Sequence, residues 1–201
     1  MAQSAEDRYA LSFTSGALLS KEAAVLAPIY IELKDWEKVR DLAVSQNLLQ
    51  ARTYRTGVRV ARETIKRLSA LSDHELEILD DITASERGHL MWAAACRRYD
   101  LIGEFAEEVL REKFLTLAGS ISYTDYDSFF RAKSMWHDEL GTIADSTYKK
   151  LREVIFRMMT EAALVNSDGG IEPTLLSARV VECLSARIPS DIRFFPTREA
   201  Y

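Results

Sequence analysis

Between Gln50 and Leu68 the sequence reads QARTYRTGVRVARETIKRL, and Arg52, Arg55, Arg59, Arg62 and Lys66 follow one another at alternating steps of three and four. At about 100° per residue, an α-helix gathers these five cations into an arc of roughly 80°. Tyr54, Val58, Ala61, Ile65 and Leu68 fall on a neighbouring arc, the side expected to dock. With Arg67 the stretch holds six basic residues against Glu63 alone, a charge of +5. The whole chain carries −5, so the remainder carries −10. Like charges this close repel one another, and a purely structural helix would normally intersperse glutamates. The chemistry on offer is electrostatic. Each arginine fork can donate two parallel hydrogen bonds to a phosphate, and a nucleic-acid backbone is the commonest polyanion. The competing reading is a solvated face, or cations paired with acids elsewhere, such as Asp80 and Asp81.

A second basic group lies at Lys149, Lys150, Arg152 and Arg157. Lys150 and Arg157 share a helical face at i, i+7. Two readings stay open: a helix set N-terminus first against phosphate, or an outer face kept soluble. Arg97 and Arg98 follow a very apolar run and suit a helix C-terminus, where cations favour the macrodipole.

Other chemistry has no support. His74, His89 and His137 are isolated, with no HExxH and no paired Cys/His spacing. Glu86 and His89 make half of a di-metal motif whose other half is missing. No glycine-rich phosphate loop and no GxSxG is present. We therefore expect no catalytic residues, no metal, no cofactor and no enzymatic activity. Trp36, Trp92, Trp136, Phe129 and Phe130 sit in apolar patterns and are expected in the core. They are not interleaved with the ridge, which favours duplex backbone contact over base stacking on single strands.

The elements that must position the ridge are helical. Four prolines and eight glycines in 201 residues favour long helices over many-turned β structure. Residues before Tyr9 read as a frayed start. Ser20–Leu33 is a helix with Ser20 as N-cap and a kink at Pro28. Asp35 caps a short helix from Trp36 to about Ser45. A polar break at Gln46-Asn47 then leads into the basic helix, the outline of a helix-turn-helix. Ser72 and Glu75 form a capping box. Helices follow at Ser85–Arg98, at Leu101–Leu117, and from Thr124 through Phe129, Phe130 and Trp136. Asp145 or Ser146 caps Thr147–Leu164, whose stripe is Leu151, Ile155, Met158 and Ala162. Asn166–Gly170 is the strongest turn signal and, with Leu164-Val165 and Ile171, predicts a small β-hairpin. Helix then hairpin is the layout of a winged helix. Leu175–Ala186 is the last helix, followed by an irregular tail with a short strand at Ile192–Phe195. Residues 1–70 form an N-terminal lobe and 71–201 a C-terminal one. Cys96 and Cys183 lack CxxC partners and read as buried free thiols in a reducing compartment. No secretion signal and no membrane-spanning run is read, so a cytoplasmic location is the expectation.

With these segments laid out, the sequence resembles the BrxA family of the BREX bacterial anti-phage systems. The resemblance rests on Leu11-Ser12-Phe13-Thr14 with Gly16, on Asp35-Trp36 with Val39-Arg40, and on Asn47 through Thr53. It continues at Cys96-Arg97-Arg98-Tyr99, Val109 through Phe114, and Phe129-Phe130 with Lys133, Trp136 and His137. Asp145-Ser146-Thr147 with Lys149-Lys150-Leu151-Arg152 completes it. It implies an all-α, compact multi-helix fold with helix-turn-helix-like parts, similar to antitermination-factor helical bundles. It also implies a non-enzymatic DNA-binding component of a defence island. With the ridge, the expectation is a double-stranded DNA-binding accessory protein that contacts mainly phosphates and works beside other BREX proteins. The alternatives are a protein–protein adaptor with incidental DNA affinity and an RNA-binding helical bundle.

Overall fold

A computed structural model describes residues 8–198. The frayed start expected before Tyr9 covers residues 1–8, of which 1–7 lie outside the described residues. The helices are α1 (Ser20–Leu33), α2 (Trp36–Ser45), α3 (Tyr54–Leu68), α4 (Asp73–Ile78) and α5 (Ala84–Arg98). After them come α6 (Asp100–Phe105), α7 (Glu112–Leu115), α8 (Tyr123–Lys133), α9 (Asp138–Gly141), α10 (Asp145–Glu161) and α11 (Ala178–Ser185). The all-α expectation holds.

Helix α5 is the axis of the core. Its residues from Gly88 to Cys96 are buried on every side, the pattern of a helix with no solvent face. Helices α1, α3, α6, α10 and α11 all pack on it. One contiguous apolar cluster runs from Tyr9 to Phe195 and includes the α10 stripe of Leu151, Ile155, Met158 and Ala162. Both cysteines are buried free thiols. Trp92 Nε1 donates to the Phe194 carbonyl at 2.9 Å, tying the C-terminal segment to α5. Arg97 adds two buried ion pairs, each at 2.6 Å, to Glu75 of α4 and Asp191. The macrodipole role expected of Arg97 is thus joined by a bridge between distant segments.

Local signals set several boundaries. Asp35 Oδ1 accepts from the Glu37 and Lys38 amides, and Ser72 and Glu75 close their capping box. Thr83 and Glu86 close a second box, so α5 begins one residue before the expected Ser85. Elsewhere expectation and structure differ. Ser20 is the first residue of α1 rather than its cap; Leu19 precedes it at φ 61° with no side-chain bond. α10 starts at Asp145 after Ala144, again without a side-chain cap. The helix expected over Leu101–Leu117 passes through a π-helical turn at Ala106–Arg111. That turn buries Ala106, Leu110 and Arg111 together, and Arg111 Nη1 reaches the Ile192 and Phe195 carbonyls at 3.1 and 3.2 Å. Trp136 lies beyond the end of α8 and is 76% exposed, so it is not a core residue. The strand expected at Ile192–Phe195 is a 3-10 turn, Asp191–Phe194, capped by Ser190. It buries Ile192, Phe194 and Phe195, a set no alternating strand could turn to one side.

The expected hairpin is reduced to single antiparallel bridges, Val165 with Ile171 and Ser120 with Gly170. The Glu172 amide donates to the Leu164 carbonyl at 2.9 Å, and the Ile121 amide to Gly169 at 2.8 Å. Gly169 has φ 82°, and a Cβ there would stand 2.6 Å from the Ile121 carbonyl. The turn is therefore fastened to the Gly119–Ile121 loop.

Candidate nucleic-acid interface

The ridge depends on how α3 is launched and which way it is rolled. Asn47 and Gln50 both take positive φ, and Asn47 Oδ1 accepts the Ala51 amide at 2.9 Å. This Asn-pinned turn reverses the chain between α2 and α3. Thr53 then caps α3, its Oγ1 accepting from the Thr56 amide at 3.2 Å. Arg52 thus stands in the turn ahead of the helix rather than on it, while Arg55, Arg59, Arg62 and Lys66 are on α3. The turn, residues 46–53, is longer than the three or four residues of a compact helix-turn-helix.

The roll of α3 is set by a buried ion pair. Arg67 Nη2 and Nε donate to Glu63 Oε1 at 3.0 and 3.1 Å, and Arg67 Nη1 donates to the Ala17 carbonyl. The Tyr99 hydroxyl donates to the same carboxylate at 2.8 Å. Burial draws Arg67 below the usual arginine range, against the pull of Glu63. Burial and that carboxylate together push the Tyr99 phenol up to about 12. The consequence for charge is direct. The helix's one acid and its sixth cation cancel inside the protein, leaving Arg52, Arg55, Arg59, Arg62 and Lys66 to carry all +5 at the surface.

The four arginines of the ridge are exposed and Lys66 is half-buried. Among the described residues, no ion pair joins any of the five to an acid. Lys66 Nζ donates to Ser12 Oγ at 3.1 Å. Of the acidic pair that could have quenched the ridge, Asp81 is engaged elsewhere, 3.0 Å from Arg179, and neither acid pairs with a ridge cation among the described residues.

The second basic group is arranged differently. Lys149 pairs with Asp145 at 2.7 Å, Lys150 with Glu153 at 3.1 Å, and Arg152 with Asp127 at 2.7 Å. Arg157 Nη2 donates to the Gly16 carbonyl at 2.6 Å. Arg152 also lies over the Tyr123 ring, 4.3 Å from its centroid. All four lie on α10, but each already has a partner within the chain.

Sequence reasoning missed one exposed ring beside the ridge. Tyr54 belongs to the arc expected to dock, yet it is 77% exposed. It is the first residue of α3 and lines an open groove with Val58 and Arg62 of α3 and Arg40, Val44 and Ser45 of α2. The helical repeat assigns it to an apolar side; nothing local reveals that α2 leaves its ring uncovered.

Comparison with known proteins adds the following. A family model described as BrxA matches residues 7–187. A BREX protein BrxA of Bacillus cereus is 28% identical over 158 residues, 76% of this chain and 78% of the relative. One from Escherichia coli is 22% identical over 152 residues, covering 76% and 71%. One from Paramagnetospirillum magneticum is 22% identical over 161 residues, covering 80% and 81%. Among solved structures, an uncharacterized protein from Magnetospirillum magneticum superposes with a TM-score of 0.79 at 18% identity, over 94% of this chain and 98% of that one. That likeness speaks for the fold.

Proposed function

The chain belongs to the BrxA family, and from that premise we propose that it is a non-enzymatic accessory component of a BREX phage-defence system. In this reading it works in the cytoplasm and binds double-stranded DNA, mainly through phosphates. The defence role follows from the relatives' names. The DNA role rests on one observation: five cations on and before α3 face outward with no acid among them, while the helix's glutamate is spent inside the core. Such a row lowers its own repulsion by meeting phosphates and releasing their counterions. The α10 group is a weaker contributor, because contact with phosphate must compete with Asp145, Glu153 and Asp127. Asp168 and Glu172 put negative charge at the 166–170 turn, so that turn is assigned a structural part.

The test is a titration of labelled duplex at several salt concentrations, with single-stranded DNA and RNA as competitors. About four phosphate contacts give a log–log slope near −3.6. A slope near zero, or no duplex binding at low salt, removes the proposal; preference for RNA transfers it to the RNA-binding reading.

A protein–protein adaptor is the second reading. In it the same acid-free basic row docks an acidic partner subunit, and DNA affinity is incidental. The two readings part under charge reversal of the ridge. If DNA contact is the role, phage resistance falls with DNA affinity while partner subunits still co-purify. Loss of partners with DNA affinity spared makes the chain an adaptor.

A further inference from the structure

We propose that Tyr54 is the non-ionic contact of the α3 interface, its ring packing on a deoxyribose and base edge of the duplex between the phosphates held by Arg52 and Arg55. The inference rests on the duplex-binding reading and adds to it a residue that senses the groove rather than the backbone charge.

Three observations carry it. First, Tyr54 is uncommitted. Among the described residues it is the one tyrosine with neither a ring partner nor a hydrogen bond. The others are engaged: Tyr9 with Glu104, Tyr30 with Trp36, Tyr99 with Glu63, Tyr123 with Phe156, Tyr126 with Phe105 and Tyr148 with Asp127. No described cation lies over its ring either, although Arg55 is its neighbour in sequence. Second, its place is polarised. Arg52 and Arg55 stand two residues before it and one after, both exposed and both without an acid partner, and Arg62 lines the same groove. Third, Val44 and Val58 give the groove an apolar lining beside it, and the one acid among its lining residues, Asp41, is engaged by Arg40 at 2.9 Å. A ring flanked by free arginines and sharing a groove with two valines suits a surface whose charge alternates with flat apolar faces. Phosphate, sugar and base edge present that alternation, and a uniformly acidic protein face does not.

The chemistry separates the two kinds of contact. Phosphate contacts displace counterions and set the salt slope; ring contacts do not. Tyr54→Ala should therefore weaken duplex binding by about tenfold at fixed salt, with the slope unchanged. Tyr54→Phe should stay close to the unaltered protein, and Tyr54→Leu, similar in bulk without the flat ring, should behave like Tyr54→Ala. Arg55→Ala should reduce the slope by about 0.9. Circular dichroism and melting should be unchanged in the three Tyr54 variants; if Tyr54→Ala alone melts early, Tyr54→Leu carries the test. Equal affinity of Tyr54→Ala or Tyr54→Leu with the unaltered protein overturns the inference and leaves the ridge standing. A lowered slope in the Tyr54 variants overturns it too, since the loss would then be ionic. No duplex binding by the unaltered protein overturns both this inference and the function on which it rests.

Discussion

Glu63 and Arg67, one turn apart on α3, form an ion pair at 3.0 Å with both side chains buried. Their cancellation inside the core is what makes the outward face of the helix uniformly basic. The pair also reaches Tyr99 and Ala17, so it joins α3 to the end of α5 and to the segment before α1. It fixes the helix about its own axis as well as its charge.

Removing one partner of this pair should therefore be costly. Glu63→Gln leaves a buried guanidinium without its counter-charge, and a loss of about 3–5 kcal/mol is expected. Tyr99→Phe should cost less, about 1–3 kcal/mol, because it deletes one hydrogen bond to the same carboxylate. Urea denaturation midpoints measure both. A Glu63→Gln protein as stable as the unaltered one would show that the pair does not hold α3.

Charge reversal on the ridge should have the opposite profile. Arg52→Glu with Arg59→Glu alters two exposed side chains, so stability should move by no more than about 0.5 kcal/mol per site. Duplex binding should be lost. Melting curves and anisotropy titrations on the same preparation decide it. An unfolded or insoluble double variant would mean that these arginines are structural.

Reversal on α10 should matter less. Lys150→Glu with Arg157→Glu touches cations that already have partners, Glu153 and the Gly16 carbonyl. Duplex affinity should fall by less than in the ridge variant at the same salt. An equal or greater fall would move the main DNA surface to α10.

Acid should loosen the clamp around Arg97. Burial alone would raise the Glu75 carboxyl, but the Arg97 guanidinium and the Ser72 bonds outweigh it and hold the group below its ordinary 4.5. A carboxyl depressed in the folded state binds protons more readily when unfolded. Its contribution is therefore complete above pH 4.5 and is lost as pH falls through the lower folded value. Stability measured from pH 7 downward should decline below about 4.5, and Glu75→Gln should be less stable at pH 7 with a shallower acid decline. An identical acid profile in Glu75→Gln would exclude Glu75 from the effect.

The parts legible from the sequence are those decided within a turn or two of chain. Asp35 caps α2 and Ser72 with Glu75 caps α4 because side chain and amide lie three residues apart or fewer. The cation spacing from Arg55 to Lys66 survives on α3 because 3.6 residues per turn places those side chains on one side wherever the helix docks. The α10 stripe is buried for the same reason. The resemblance carried the family, since it drew on stretches along nearly the whole chain.

What the tertiary structure alone decided depends on partners far away in sequence. Glu63 and Arg67 look like two more surface charges until Tyr99 and the Ala17 carbonyl meet them. Arg97 looks like a helix-end cation until Asp191 arrives 94 residues later. Ile192–Phe195 has the composition of a strand, but no strand among the described residues pairs with it, and Trp92 holds it as a 3-10 turn. Tyr54 and Trp136 follow apolar patterns yet stay in solvent, because burial requires a surface to cover the ring. Periodicity tells which residues share a side of a helix. Only the packing of other segments against that side determines whether it faces protein or water.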